Sequence, residues 1–284
     1  MPIRQLTRQS VPLFCGLLLV GAAAQAVTLK DRFEQTVPLK PGSEVSLDNT
    51  NGSVTFEAWD RNEVHIEAEK QVRAGSDDQA RKLMSEIKIE VVPGPSGLRI
   101  ETHTPKRGNG GGFLAGLFNG EANMEVSYTV HVPRQSSVAI VNSNGALQVT
   151  GTRGNARLET SNGRITAEGM AGDLTLKTSN GHISVARSEG TVHAETTNGG
   201  IDAELTRVSG KDLRFETSNG GVSLRLPRGA RFTVDAETSN GSVQSDFQVP
   251  GERKGKHSLS GPVNGGGPAL YVRTSNGGVR IRES

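Results

Sequence analysis

Residues 156–203 read ARLETSNGRITAEGMAGDLTLKTSNGHISVARSEGTVHAETTNGGIDA, with Asn-Gly pairs at Asn162, Asn180 and Asn198 spaced 18 residues apart. Outward from this stretch the pair returns at Asn51 and Asn144 upstream, and at Asn219, Asn240 and Asn276 downstream. From Asn144 onward the intervals are 18, 18, 18, 21, 21 and 36. A hydroxyl residue precedes each asparagine: Thr50, Ser143, Ser161, Ser179, Thr197, Ser218, Ser239 and Ser275. The pairs at Asn109, Asn119 and Asn264 sit in glycine-rich stretches and do not share this context.

The apolar residues follow the same grid. Four positions before asparagine stand Leu47, Ile140, Leu158, Leu176, Ala194, Phe215, Ala236 and Val272; six before, residues such as Val138, Leu174 and Leu213. Three positions after it come Val54, Leu147, Ile165, Ile183, Ile201, Val222, Val243 and Val279; five after, residues such as Phe56, Val185 and Ile281. Polar residues fill the places between. Period-two alternation on both flanks of a turn is the pattern of half-buried strands. Helices are excluded across the repeat, because the period is wrong and glycine recurs too often.

Two architectures use such a grid. Asn-Gly is a strong hairpin signal, since a type I′ turn needs two residues at positive φ, and eight hairpins could close a barrel. In a solenoid the same pair turns a corner of each coil, and equivalent residues stack about 4.8 Å apart, Thr on Thr and Asn on Asn. Near-constant unit length, chemical identity at equivalent positions and insertions falling between units favour the solenoid. Low hydrophobic content (33%), few aromatics (4%) and 36 glycines agree, since stacked repeats need only a thin core. The expected fold is all-β, a parallel β-helix-like solenoid of 18–21-residue repeats, with the eight asparagines as a structural turn ladder.

Val130-His131-Val132-Pro133 followed by Ser-Asn-Gly units, the recurring Thr-Ser-Asn-Gly-x-Ile/Val phrase, and Leu224-Arg225-Leu226-Pro227 resemble the bacterial DUF4097 family of adhesin-like β-repeat proteins. Glu90 to Thr102, with the helix predicted before it, resembles the family too. The resemblance runs from about Val45 to Ile281. It implies a β-helix-like fold and an envelope location, and it brings no catalytic residues.

Residues 1–26 read as a signal peptide: Arg4 and Arg8 form a basic start, Val11 to Ala24 is apolar, and Ala24-Gln25-Ala26 offers a small-x-small cleavage pattern. The apolar run is too short for a stable membrane span. Cleavage leaves residues 27–284 as one β-repeat domain without Cys15, the single cysteine, hence without disulfides or thiolate metal sites. Taking Arg4 and Arg8 from 32 basic residues leaves 30, against 30 acidic ones, and a balanced chain is poor material for phosphate backbones. Nucleic acid is not an expected partner.

Three stretches depart from the repeat. Ser76 and Gln79 form a capping box, and Ala80, Leu83, Met84 and Ile87 keep helical spacing, so a short helix is expected near 76–87, covering an edge or open end. Loop insertions are expected near 105–122, carrying Phe113, Leu114, Leu117 and Phe118, and near 248–268, with Arg253, Lys254, Lys256 and His257. The first is read as a loop folded back over the solenoid, the alternative being an exposed apolar loop that touches a partner or membrane, and the second as a solvated loop, the alternative being a contact with phosphate or an acidic glycan. Gly110, Gly112 and Ala115 match a dinucleotide fingerprint only in name, because no strand–turn–helix unit surrounds them.

Chemistry is hard to find. His65, His103, His131, His182, His193 and His257 make no metal-binding spacing, and no calcium loop, nucleophile elbow or phosphate loop is present. Glu159, Glu195, Glu216 and Glu237, with Lys177 and Arg273 at the equivalent place, read as an outward charge ladder. A polysaccharide lyase or hydrolase on a β-helix would need carboxylates converging on a groove. An outer-membrane barrel would need aromatic girdles that one Trp and two Tyr cannot supply. No catalytic, cofactor or metal site is expected. The functional expectation is a non-enzymatic envelope module at the periplasm or cell surface, adhesin-like or structural, whose partner is an unidentified protein or glycan.

Overall fold

Alternating burial makes strands wherever the grid predicts them. The computed structural model describes residues 26–105, 122–208, 210–250 and 255–284. The segment read as a signal peptide (Ala26 apart), the Phe113–Phe118 stretch, and Arg253 with Lys254 lie outside the described residues.

The chain begins with β1 (Val27–Pro38), β2 (Glu44–Asp48), β3 (Val54–Trp59), β4 (Glu63–Ala74), α1 (Asp77–Glu86), β5 (Lys88–Pro93), β6 (Gly97–His103) and β7 (Asn123–Pro133). Paired strands follow: β8 (Ser137–Asn144) with β9 (Leu147–Thr150), β10 (Ala156–Asn162) with β11 (Ile165–Glu168), and β12 (Leu174–Asn180) with β13 (Ile183–Gly190). Next are β14 (Val192–Asn198) with β15 (Ile201–Val208), β16 (Leu213–Asn219) with β17 (Val222–Leu226), and β18 (Phe232–Asn240) with β19 (Val243–Ser245). The chain closes with β20 (Ser258–Val263), β21 (Ala269–Asn276) and β22 (Val279–Glu283). In each coil from Asn144 onward one strand ends at the ladder asparagine and the next starts beyond the glycine, in the opposite sheet. Two 11-stranded sheets result, neither closed into a barrel.

Coils pair in parallel and in register: Leu158 with Leu176, Thr160 with Thr178 and Asn162 with Asn180 in one sheet, Ile165 with Ile183 and Ile183 with Ile201 in the other. None of the eight asparagines has the positive φ that a type I′ hairpin requires. The solenoid, not the hairpin barrel, is the fold. The core is the space between the sheets, filled by the four apolar grid positions of each coil; Leu158, Ile165, Leu176 and Ile183 are fully buried.

Three hydrogen-bond ladders run along the Asn-Gly corner. Side-chain amides link Asn144 to Asn51, Asn162 to Asn144, Asn180 to Asn162, Asn198 to Asn180, and Asn219 to Asn198, at 2.7–2.9 Å. Gly163 and Gly181 N–H groups donate to the next coil's Asn180 and Asn198 carbonyls, each at 3.0 Å. Thr178 and Thr196, two residues before their asparagines, donate to the Gly163 and Gly181 carbonyls of the preceding coil (3.1 and 3.0 Å). In the Asn144 coil Asn142 replaces Thr and donates to the Gly52 carbonyl at 2.9 Å. Glycine is obligatory at this corner, because a Cβ on Gly181 would overlap the Gly163 carbonyl, and one on Gly163 that of Gly145.

Spatial order departs from chain order at the end. The last coil in the sequence, β21–β22, lies between the Asn219 coil and the Asn240 coil. Asn276 therefore donates to Asn219 (2.9 Å) and Asn240 to Asn276 (3.0 Å). The 36-residue interval is the detour this requires. The insertion near 248–268 is consequently not all loop, because β20 pairs antiparallel with β18 and Phe247 and Val249 are buried. Phe247 meets Phe232 edge-on at 5.3 Å and closes that end of the core.

The other end is closed by the expected helix. Ser76 accepts from the Gln79 backbone N–H (3.3 Å), while Gln79 Oε1 reaches the N–H of Gly75, one residue earlier than in a standard capping box. Ala80 and Leu83 are buried as α1 packs on β1 and β4. In one sheet, β4 joins β1 and β7 through antiparallel pairing.

Three stability outcomes follow from the stack. Deleting residues 163–180 removes one coil and regenerates Asn162-Gly181 in register; the shortened chain should stay soluble and melt cooperatively by circular dichroism, because coils touch only neighbours. Ile183→Asp buries an unpaired carboxylate and should cost roughly 3–5 kcal/mol in urea unfolding, whereas His182→Ala, losing only the half-exposed pair with Asp202 at 2.9 Å, should cost under about 1 kcal/mol. Thr196→Val should cost about 1 kcal/mol by stranding the Gly181 carbonyl, and Gly181→Ala about 2 kcal/mol or more, because the obstacle is backbone.

Candidate functional site

Ligands must meet this protein on its outer faces, because the space between the sheets is filled. The outer face of the sheet holding the ladder asparagines carries the charge row expected from the sequence. Lys177 lies between Glu159 and Glu195 and reaches Glu195 at 3.0 Å. Arg157 pairs with Glu159 (2.6 Å) and Arg214 with Glu216 (2.7 Å). The displaced last coil puts Arg273 between Glu216 and Glu237, where it pairs with Asp235 at 2.7 Å and approaches Glu237 at 3.6 Å. Chain order would have set Glu216 against Glu237; the observed order separates them with a cation. A shallow trough of about 310 Å³ runs over Glu159, Lys177 and Glu195, with Ser161, Ser179 and Thr197 along it. The asparagine ladder borders this face at the corner, where its amides are occupied with one another.

The opposite sheet has a different outer face near the helix-capped end. Cross-strand pairing of β1, β4, β7 and β3 aligns Thr36, His65, His131 and Glu57 in one row, and Glu34, Glu67, Thr129 and Thr55 in the next. Trp59 ends β3 beside the first row. Its ring lies 5.2 Å from the His131 ring and 6.1 Å from that of His65, and the two imidazoles are 6.1 Å apart. The Trp59 indole N–H donates to the Glu63 carbonyl (2.8 Å), fixing the ring, and the Arg61 guanidinium sits 4.9 Å from its centre. His65 Nδ1 meets the Thr36 hydroxyl at 2.9 Å, and its Nε2 faces Glu67 at 3.2 Å. His131 Nε2 faces Glu57 at 3.4 Å. The second row opens into a groove of about 300 Å³ also lined by Arg32, Ser53, Glu69 and Ser127. In the sequence these histidines share no spacing, and only the antiparallel register of β4 on β7 brings them together.

A third cluster lies on the edge hairpin β5–β6. Glu90, Glu101 and His103 bring their ligating atoms within 4.8 Å of one another. The trio was invisible in the sequence because Glu90 meets Glu101 only through strand pairing. Arg99 already holds Glu101 at 2.9 Å and opposes a cation there, and the trio is open to solvent, so the arrangement reads as surface ion pairing.

Ionisation on these surfaces follows ion pairing. Arg134 holds the Asp60 carboxyl below its usual value by hydrogen bond and charge, Lys30 does the same for Glu69, and Lys211 for Asp173. Tyr128 is the contrasting case: burial pushes its hydroxyl up to about 12, opposed by a 2.7 Å hydrogen bond with Thr102. A phenol so raised stays protonated at neutral pH and is no general base.

Among the described residues no helix is long and apolar enough to cross a membrane. No curated protein matches the chain. Solved structures similar to it include a candidate cell adhesion protein from Clostridium sporogenes, 13% identical, covering 89% of this chain and 100% of that one at a TM-score of 0.33. A candidate adhesin from Bacteroides fragilis is 12% identical, covering 89% and 97%, with a TM-score of 0.28. A candidate lipid-binding protein from Parabacteroides distasonis is 10% identical, covering 89% and 97%, with a TM-score of 0.37. Similarity this distant carries no argument about ligands. The family model described as Toastrack DUF4097 matches residues 115–282, more than half of the sequence, and the chain belongs to that family.

Proposed function

We propose that residues 27–284 act, after removal of residues 1–26, as a non-enzymatic binding or structural module of the cell envelope, at the periplasm or the cell surface. The observation that carries this reading is the outer charge ladder on an end-capped stack. Its carboxylates are exposed and matched by neighbouring cations, as at Lys177–Glu195 and Arg273–Asp235. Polysaccharide hydrolysis needs two carboxylates converging on a groove, whereas the ladder sets Lys177 between Glu159 and Glu195, and Arg273 between Glu216 and Glu237. A fixed surface with paired charges suits recognition of an extended partner by complementarity.

Mass spectrometry of the envelope fraction should find a mature N-terminus at Val27; an intact Met1 would remove the export element. The tagged mature chain should retain envelope protein or glycan in a pull-down, and should release no reducing ends or unsaturated products from a polysaccharide panel. Turnover of any member of that panel would replace this reading with the enzymatic one.

A further inference from the structure

We propose that the groove between β1, β4, β7 and β3, with the Trp59–His65–His131 rings at its end, is a binding site for a neutral oligosaccharide. This rests on the binding-module reading and gives it a place and a ligand class. Trp59 is the single tryptophan of the chain, yet it lies outside the hydrophobic core and outside the apolar residues packed against it. Trp59 is partly exposed on the outer sheet face, and an indole with one wet side is a residue type enriched at contact surfaces. The indole is locked by its bond to the Glu63 carbonyl, so what it offers a ligand is a fixed ring face. Arg61, the group over that ring, has a side chain 69% exposed and can be displaced.

The groove beside the rings supplies the complementary polar chemistry. Ser53, Thr55, Ser127 and Thr129 present hydroxyls from two strands, and Glu34, Glu67 and Glu69 present carboxylate acceptors from two others. Pyranose rings have apolar C–H faces that stack on aromatic planes, and hydroxyl rims that need acceptors and short donors. Charged ligands fit less well. Lys30 holds Glu69 at 2.8 Å and Arg32 lines the same groove, so cations of the protein already stand beside its carboxylates. A lipid chain would need an apolar trench, and these walls are mainly polar, with Phe33 the one apolar side chain partly open to solvent.

Because Trp59 is the sole indole, its emission reports this site alone. The mature chain is titrated at neutral pH with cellotetraose, chitotetraose and maltotetraose, and with a Lys/Arg-rich heptapeptide. At least one oligosaccharide should produce a saturable change within about 10 mM, the range of weak recognition. Thr129→Arg, which fills the groove from the outer face of β7, should weaken it about tenfold or more with an unchanged far-ultraviolet spectrum. Val92→Arg, at an exposed position on the edge strand β5, should leave it unchanged. No saturable change with any sugar, equal affinity in Thr129→Arg, or saturation by the peptide alone overturns the proposal. Envelope material retained equally by the wild type and Thr129→Arg sinks this groove and spares the binding-module reading; no retention by the wild type sinks that reading instead.

Discussion

Close backbone approach at the Asn-Gly corner is the constraint on which the rest of the structure depends. Parallel coils must stack at strand spacing, and at a tight corner that spacing brings one coil's carbonyl to where the next residue's Cβ would be. Only glycine leaves room, as Gly145, Gly163, Gly181, Gly199, Gly220 and Gly277 each do against the coil beside them. Once the pitch is fixed, an asparagine amide reaches its neighbour in the next coil, and the buried threonine two residues earlier reaches the glycine carbonyl. The pitch also aligns the apolar positions, so the core is a consequence of the corner as much as its cause. The units of 21 residues place their extra length at the opposite corner, after β15 and β17, where the Gly154–Gly172–Gly190 stack no longer holds the chain. Length can vary there because the Asn-Gly corner keeps the register.

A stack built this way has two exposed ends, each offering unpaired backbone and open core. The chain treats both ends by leaving the repeat. At one, β4, α1 and the strands around them turn antiparallel and bury Ala80 and Leu83. At the other, Phe247, Val249 and β20 cover the Asn240 coil. The displaced β21–β22 coil has a consequence for assembly. The Asn240 coil pairs with the Asn276 coil and not with the Asn219 coil, so it reaches its final place only once residues 269–283 have docked. End sealing and the final coil are thereby coupled, and an unsealed edge that would invite association is covered in the same step.

The sequence was most legible where one side of a strand is buried and the other wet. A one-residue slip would turn every apolar side chain outward, so Ile165, Ile183 and Ile201 could be placed from their offsets alone. The order of the last coils was not legible. Every unit carries the same corner chemistry, so the ladder is satisfied whichever unit comes next, and only the long interval before Asn276 hinted at a detour. The buried threonines were missed for a related reason: their offset marks them as inward, but their polarity makes sense only once the facing glycine carbonyl is known. Trp59, His65 and His131 share no spacing. His65 and His131 meet through antiparallel pairing of β4 with β7, two strands that lack the Asn-Gly mark, and Trp59 joins them across the parallel β3–β7 pair, so nothing local sets that meeting.

The two outer faces consequently differ in what they can recognise. On the repeat face each coil presents nearly the same row as its neighbour, so a ligand seated over Glu159 and Lys177 meets similar surface one strand away. Such a face can hold an extended partner at many registers and discriminates poorly between them. Specific recognition needs side chains that occur once, held at fixed separations. In this fold those occur where the repeat has been abandoned to seal an end, because only there does each strand bring a different row. Sealing the stack and breaking its symmetry are one structural act, and the aromatic row beside the helix-capped end is where that act leaves a surface unlike any other among the described residues.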